Sequence, residues 1–289
     1  MADALNYLDS RITKIWIFWG FEGYLIFNGT RFIDYQTYSY YYKGIRKKIG
    51  YFYYKYLQYQ NKVQGEIQKE IIRKMDFVAT WCDYDIKLAK NINPAIRDIF
   101  FSYYTKENMG WPDSDKLIIS HNGDILLGNS ASLTNNHVSA LKYLKKIDFQ
   151  GKIYAPLSYG SEKYRDVIIS LGESLFGKSF IPITEFLPLE EYMSIFNKVE
   201  FVWMNHIRQQ AAGNIFTALS YGKKVILHEK NVIRPTLKKW GIHVFNKNIL
   251  KTKLPIREDL LLRNKTIIDN KLIIESNKPF FDLLKSALK

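Results

Sequence analysis

Hydrophobic positions follow two alternating patterns through the second half of the chain. Short apolar runs of four or five residues are separated by longer segments in which apolar residues recur every three to four positions. The short runs predict buried strands, and the longer segments predict amphipathic helices. This alternation indicates an α/β fold with a parallel sheet covered on both faces. The predicted strands span residues 124–128, 152–155, 179–183, 200–204, 224–227 and 242–245.

The first part of the chain carries the same pattern less regularly. Residues 14–20 and 76–81 are apolar runs that predict two further buried strands. A Gly-Trp-Pro-Asp break at residues 110–113 then interrupts the pattern. We therefore expect one domain over residues 1–115 and a second over residues 116–289, with the last helix, about 278–288, as a candidate to pack back on the first domain.

Small and polar residues follow three predicted strands of the second domain. Gly128 begins the first loop, residues 158–160 lie in the second, and residues 206–214 form the third. Right-handed crossovers place these loops at one edge of the sheet, where ligands of open α/β sheets bind. The candidate binding residues are Gly128, Asn129, Ser130, Asn135, Ser158, Tyr159, Gly160, His206, Arg208, Gln209, Gln210, Gly213 and Asn214.

The side chains of these loops suit an anionic ligand that carries hydroxyl groups. Small residues let a ligand approach backbone N–H groups at the start of a helix. Arg208 carries a permanent charge on a planar fork that fits a diphosphate. Gln209, Gln210 and Asn214 can recognise hydroxyls or a base edge. His206 has three alternatives: an acid or base, a phosphate or sugar contact, or a residue that only closes the turn.

Motifs of several other nucleotide-binding and hydrolytic classes are absent from the sequence. It contains no Walker loop, no GxGxxG fingerprint and no nucleophile elbow. The pairs Asp83 and Asp85, and Asp113 and Asp115, match a short two-acid pattern that binds metal in some nucleotide-sugar enzymes. The pattern is common, Asp83 can cap a helix, and the second pair lies in a turn. We therefore expect no bound metal and no cofactor.

Charge and cysteine content limit the classes of partner and the cellular compartment that we expect. The net charge is +14, which favours nucleic acid, a phosphorylated ligand or an acidic membrane surface. Cys82 is the single cysteine, which excludes an intrachain disulfide and fits a reducing cytoplasm. Acids precede the first apolar run, so no secretory signal is predicted. No uncharged run reaches the roughly 18 residues of a membrane-spanning helix, so membrane contact is expected to be peripheral.

Residues 35–65 have an unusual composition, with ten tyrosines, six lysines or arginines and no acid. One interpretation is a patch at a membrane interface, where tyrosine is favoured and lysines attract anionic lipid. A second is stacking of single-stranded nucleic acid on aromatic rings. A third is a helical pair that uses tyrosine for packing. No RNA-binding signature is present, so we favour the membrane interpretation and expect no nucleic acid.

Glu22 is the candidate catalytic residue of the first domain. It lies within Trp19-Gly-Phe-Glu-Gly-Tyr24, directly after a predicted strand, where active sites of α/β proteins form. The alternative is a loop acid that caps the next segment.

Three stretches of the second domain resemble a known enzyme family. Residues 125–141, 156–164 and 208–214 resemble the 4-acetamido-4,6-dideoxy-D-galactose (Fuc4NAc) transferases, which act on lipid II in enterobacterial common antigen synthesis. Residues 19–24 look like the WGADLY motif of that family, and residues 79–83 are similar to its ATxxD stretch. The resemblance runs from about Lys14 to Phe245.

This resemblance implies a GT-B architecture, with two Rossmann-like domains and parallel sheets. The second domain would hold the nucleotide diphosphate, and the first would hold the acceptor. Such enzymes usually need no metal, because helix N-termini and basic side chains take the charge of the leaving diphosphate. Glu22 replaces the Asp of the motif as the base for the acceptor hydroxyl. Only 18 residues precede Trp19 of that motif, so either the chain is truncated or its amino-terminal domain is shortened.

Together with this resemblance, the sequence predicts a metal-independent glycosyltransferase bound peripherally to the cytoplasmic face of the bacterial inner membrane. It would move a deoxyamino sugar from a donor similar to dTDP-Fuc4NAc to a lipid-linked saccharide for a surface polysaccharide. Residues 35–65 would contact the anionic membrane surface. One alternative is a GT-B transferase that uses a UDP- or GDP-sugar. Another is a non-enzymatic, basic and aromatic module that binds anionic lipid or nucleic acid.

Overall fold

The fold is taken from a computed structural model that describes residues 12–24, 26–27, 31–46, 51–112, 117–252 and 257–287. The chain divides into two compact units. The N-terminal unit contains Met1–Arg31, Ile49–Met109 and Asn270–Lys289, and the C-terminal unit contains Phe32–Lys48 and Gly110–Asp269.

Strands and helices alternate in both units. The strands are β1 Ile15–Ile17, β2 Phe77–Ala79, β3 Arg97–Ile99, β4 Ile125–Leu127, β5 Ile153–Pro156, β6 Phe180–Ile183, β7 Phe201–Met204 and β8 Lys224–Leu227. The α-helices are α1 Phe21–Tyr24, α2 Tyr35–Arg46, α3 Tyr51–Arg73, α4 Asp83–Ile92, α5 Lys106–Met109, α6 His137–Lys146, α7 Glu162–Phe176, α8 Leu189–Lys198, α9 Ala212–Ser220, α10 Arg234–Lys239, α11 Glu258–Lys271 and α12 Lys278–Ala287.

The N-terminal unit contains a parallel sheet of three strands in the order β1-β2-β3. All residues of the central strand β2 are buried, as expected for the continuous apolar run Phe77–Ala79. The C-terminal helix belongs to this unit. The side chain of Asn277 bonds the backbone N–H and C=O of Ser102 at 2.9 Å each, and Phe280 of α12 packs on Phe101 with ring centroids 4.5 Å apart.

The C-terminal unit contains a parallel sheet of five strands in the order β6-β5-β4-β7-β8. Strands β4, β7 and β8 are buried along their whole length, which explains why their sequences are apolar except for Lys224, which pairs with Glu200. The chain proceeds outward from β4 through β5 to β6, then crosses back to β7. The strand order therefore reverses between β4 and β7, and the loops after these two strands flank the point where such sheets bind ligands.

The expected α/β architecture with parallel sheets is confirmed, but the predicted strand at 242–245 is wrong. Within it, only Phe245 pairs with the sheet, through a single parallel bridge to Ile226. The side chain of Asn264 in α11 bonds both the N–H of His243, at 2.8 Å, and its C=O, at 2.7 Å. A side chain thus takes the backbone groups that a strand neighbour would use.

The division into units differs from the predicted domain limits at residues 32–48, which group with the C-terminal unit. Asp34 caps α2 by accepting the N–H of Thr37 at 2.8 Å, and its own N–H donates to Asn136 at the start of α6. Further along α2, Tyr41 packs edge-on against Tyr164 of α7, with ring centroids 5.5 Å apart. Part of the tyrosine-rich segment therefore packs against the core of the C-terminal unit.

Candidate functional site

The three predicted loops are joined by hydrogen bonds between their side chains. Asn129 of the first loop donates to the Tyr159 hydroxyl of the second at 2.6 Å. Gln210 of the third loop donates to Asn129 Oδ1 at 3.1 Å and accepts from Thr134 Oγ1 at 2.7 Å. The structure thus brings the three loops together at one edge of the sheet, with β4 and β7 at its centre.

Two glycines allow the tight approach of these loops. Gly128 has φ +72°, and a Cβ there would lie 2.5 Å from His137 Nε2 and 2.8 Å from Asn135 Oδ1. Gly160 has φ +116°, and a Cβ there would lie 2.6 Å from the carbonyl oxygen of Ala131, to which Gly160 is bridged. Because both positions face the protein's own atoms, these glycines serve loop packing.

Asn135 is fully buried and connects the first loop to the third. Its amide nitrogen donates to the carbonyl and hydroxyl oxygens of Ser130, at 3.0 and 3.1 Å. Its Oδ1 accepts the N–H of Asn129 at 3.0 Å and lies 2.6 Å from His206 Nε2. Because the amide nitrogen faces Ser130, the oxygen faces His206, and this network assigns the proton of the histidine to Nε2.

Burial keeps two histidines neutral beneath the loops. The pKa of His206 is well below its usual value, because of its complete burial and then its electrostatic interactions with Arg208 and with the ring of His137. Burial also lowers the pKa of His137 to about 3, against a smaller opposite effect of the Leu127 carbonyl. Of the alternatives for His206, the buried neutral ring favours the one in which it closes the turn.

A second polar layer was not predicted and lies around Asn136. The Asn136 side chain donates to the carbonyl oxygens of Phe32, at 3.2 Å, and Asn205, at 3.1 Å. Asn205 donates in return to the Asn136 carbonyl and to Ser139 Oγ, at 3.0 Å each, and Ser139 donates to Asp34. The adjacent asparagines at 135 and 136 were the available signal, and Asn136 adopts φ +53°, which asparagine tolerates.

The helices that follow β4 and β7 begin without a side-chain cap. Asn136 before α6 and Ala211 before α9 both adopt the left-handed conformation and make no capping side-chain bond, whereas Ser161 caps α7. First-turn N–H groups that are not capped suit an anion. Half-buried Arg208 precedes α9 and donates to the carbonyl of Gln209 at 3.0 Å. Gly213 lies in the first turn of α9.

A pocket of about 230 Å³ opens beside the first two loops, at the ends of β5 and β6. Its polar lining consists of Asn129, Ser158, Tyr159, Glu185, Tyr192 and Asn214, and Ile183 and neighbouring apolar residues line the rest. Asn214 donates to the Tyr192 hydroxyl at 3.0 Å. Of the predicted residues, Asn129, Ser158, Tyr159 and Asn214 line this pocket, whereas Asn135 and His206 are buried below the loops.

Glu22 lies in α1, and its side chain is outside the described part of the structure. Helix α1 is held by Tyr24, whose hydroxyl donates to the buried Asp85 at 2.8 Å.

Among the described residues, no group of three or more His, Cys, Asp or Glu side chains is placed to hold a metal ion. Within the same part of the chain, no helix has the length and hydropathy needed to cross a membrane.

Comparison with known proteins agrees with this geometry. A family model described as 4-alpha-L-fucosyltransferase, glycosyl transferase group 56, matches residues 65–282. The chain belongs to this family. The predicted glycosyltransferase family is thus confirmed, and the match covers all three loops and part of each unit, but not Met1–Arg31, which contains Glu22.

Solved structures show the same fold at low sequence identity. HepE of Anabaena, in complex with UDP and glucose, matches with a TM-score of 0.62 and 11% identity over 78% of this chain and 67% of its own. Sucrose-phosphate synthase from Thermosynechococcus elongatus matches at 0.59 and 10% over 78% and 62%. Alpha,alpha-trehalose 6-phosphate synthase from Burkholderia multivorans matches at 0.57 and 8% over 79% and 62%. The expected GT-B-like fold is confirmed, and the chain spans less than two thirds of the length of these two synthases.

Proposed function

We propose that the protein transfers a deoxyamino sugar, as in dTDP-Fuc4NAc, from a nucleotide-diphosphate donor to a lipid-linked saccharide. The observation that carries the donor site is the uncapped start of α9 beside Arg208, at the point where the strand order reverses. Family membership supports a glycosyltransferase and disfavours the non-enzymatic alternative.

In this proposal some loop residues contact the donor, and others support the conformation of the loops. Arg208 and the first turn of α9 bind the diphosphate, and the half-buried Gln210 contacts the sugar or ribose, whereas Gln209 is buried and supports the loop. The pocket edged by Tyr192 and Asn214 takes the base. Asn135 and His206 act as supports, because their side chains are buried and bonded to each other.

The transfer step breaks the bond between the anomeric carbon and a diphosphate oxygen while the acceptor hydroxyl oxygen bonds that carbon. Arg208 and the helix start stabilise the charge that the leaving diphosphate gains. Glu22 is the proposed base that takes the proton of the hydroxyl. In this proposal the guanidinium and the backbone N–H groups take the stabilising role that a metal ion has in other transferases.

Calorimetry with dTDP and UDP tests the donor site. Arg208→Ala should weaken nucleotide-diphosphate binding by roughly 1–3 kcal/mol, as expected for loss of a hydrogen bond to a charged group. Arg263→Ala, at an exposed position of α11 in the same unit, is the control and should bind as the unmodified protein does. Equal affinities of the two variants would remove Arg208 from the site.

A UDP-sugar donor is the second candidate, because the similar HepE structure contains UDP. A thermal-shift panel of dTDP, UDP and GDP separates the candidates, since the correct base should stabilise the protein most. Stronger stabilisation by UDP or GDP than by dTDP would reject the dTDP donor.

We place the enzyme at the cytoplasmic face of the inner membrane through residues 35–65. The described exposed tyrosines of this segment support membrane contact, with exposed fractions of 78% for Tyr35, 43% for Tyr40 and 63% for Tyr59. Neutralising Lys43, Arg46, Lys47 and Lys48 should reduce flotation with anionic vesicles. Equal recovery of the unmodified protein with anionic and neutral vesicles would contradict this contact.

A further inference from the structure

The C-terminal unit contains a second concave site, which we call the lysine groove. It has a volume of about 560 Å³ and is lined by residues of α6, the start of α2, strand β7 and the short helix Lys247–Lys251. None of the candidate donor residues lines it. Lys142 and Lys146, one turn apart on α6, form one wall, and Lys247 and Lys251 form the other.

The charge of the groove is strongly unbalanced. Asp34 is the single carboxylate among the groove's lining residues, and it already accepts hydrogen bonds from the Thr37 N–H and the Ser139 hydroxyl. Throughout the described residues, no carboxylate lies within 4.0 Å of any of the four lysine ammonium groups. Ammonium groups that share one concavity repel each other, and an anion would relieve this repulsion.

Three of the four lysines lie beside aromatic rings rather than beside carboxylates. The ammonium groups of Lys247 and Lys251 lie 5.2 and 5.6 Å from the ring centroid of Tyr143, and that of Lys142 lies 4.9 Å from the ring of Tyr40. The Tyr143 hydroxyl donates to the Lys247 carbonyl at 3.1 Å, which ties the short helix to α6. The charges are thereby held along the groove.

The chemistry of the walls identifies the class of ligand. Lysine binds phosphate as a compact charge with rotatable donors, without the planar geometry that a carboxylate–arginine pair requires. Trp203 and Asn205 also line the groove, but both are buried and Asn205 already donates to Asn136 and Ser139, so the lysines supply the charged contacts. We propose that the lysine groove is a second anion site that binds a phosphate or diphosphate group, separate from the donor site.

Pyrophosphate binding in the presence of saturating dTDP tests this site, because dTDP occupies the donor loops. The groove variant replaces Lys142, Lys146, Lys247 and Lys251 by Gln. The control replaces Lys152, Lys163, Lys178 and Lys238 by Gln. These lysines are exposed in the same unit, so both variants lose the same charge. The groove variant should bind pyrophosphate at least about tenfold more weakly, while the control changes less than about twofold.

The source of the phosphate is distinguished by flotation with phosphatidylglycerol or phosphatidylcholine vesicles. Loss of flotation with phosphatidylglycerol in the groove variant alone, reversed by pyrophosphate, identifies a lipid headgroup. Unchanged flotation with lost pyrophosphate binding identifies a free phosphate compound. Equal weakening in both variants, or no pyrophosphate and no phosphatidylglycerol binding by the unmodified protein, overturns the proposal.

Folding and donor binding are measured separately. Each variant is checked by circular dichroism and for dTDP affinity, which should be unchanged whether or not the groove binds phosphate. If the fourfold variant does not fold, Lys142→Gln with Lys247→Gln, one from each wall, replaces it. Lys163→Gln with Lys238→Gln is then the control, with the same criteria.

Discussion

The donor loops and the lysine groove lie in the same unit and are built in different ways. The loops rest on buried, neutral side chains that bond each other, such as Asn135 and His206. The groove is lined by exposed lysines that have no carboxylate partner within the described residues. Buried hydrogen bonds therefore fix the shape of the donor loops, whereas ligand binding in the lysine groove depends on its charge. The difference predicts that mutations and solution conditions act on them separately.

The largest expected effect comes from Asn135→Ala beneath the donor loops. It leaves His206, Ser130 and the Asn129 N–H without their buried partner, so the free energy of unfolding should fall by about 3 kcal/mol. Urea unfolding measures this change. Asn197→Ala, on the exposed face of α8, should change stability by less than about 0.5 kcal/mol. A similar small loss for Asn135→Ala would show that the network does not support the loops.

The second effect is a pH dependence caused by His137. Its folded pKa of about 3 lies below the unfolded value near 6.5, so the unfolded chain binds the extra proton as the pH falls. Between pH 7 and 5 this histidine should reduce the free energy of unfolding by about 2 kcal/mol. His137→Gln should lose that part of the pH dependence, and His121→Gln, at an exposed position, should retain it. Equal slopes for both variants would contradict burial of a neutral His137.

A smaller effect distinguishes backbone strain from close packing at Gly128. Gly128→Ala should cost about 1–2 kcal/mol more than Gly123→Ala in urea unfolding. The two glycines have similar φ angles, +72° and +77°, but a Cβ meets His137 only at position 128. Equal costs would mean that the loop has room to shift.

The smallest effect is on salt dependence. Because the screening length falls from about 10 Å at 0.1 M to about 3 Å at 1 M salt, pyrophosphate binding to the exposed groove should weaken steadily with added salt. Binding of dTDP to half-buried Arg208 and backbone N–H groups should weaken less. Calorimetric titrations across this range compare the two slopes. Parallel slopes would indicate that both ligands use exposed charge.

The sequence predicted the loops well because strand ends in a parallel sheet share one edge. It did not show which loop residues are buried, since Asn135 and Asn129 have similar local patterns and differ only in their partners. The sequence did not place residues 32–48 in the C-terminal unit, because the composition of a tyrosine-rich helix does not indicate which unit it packs against. The lysine groove could not be predicted, since Lys142 and Lys247 are far apart in sequence and each resembles a solvated surface charge.

The central claim is that the start of α9 and Arg208 bind the donor diphosphate. A crystal structure of the full chain with dTDP tests it directly. We expect the diphosphate against the first turn of α9, within hydrogen-bond distance of Arg208, and the base in the pocket beside Tyr192. Density for the diphosphate among the lysines of the groove, with the α9 turn empty, would contradict the account.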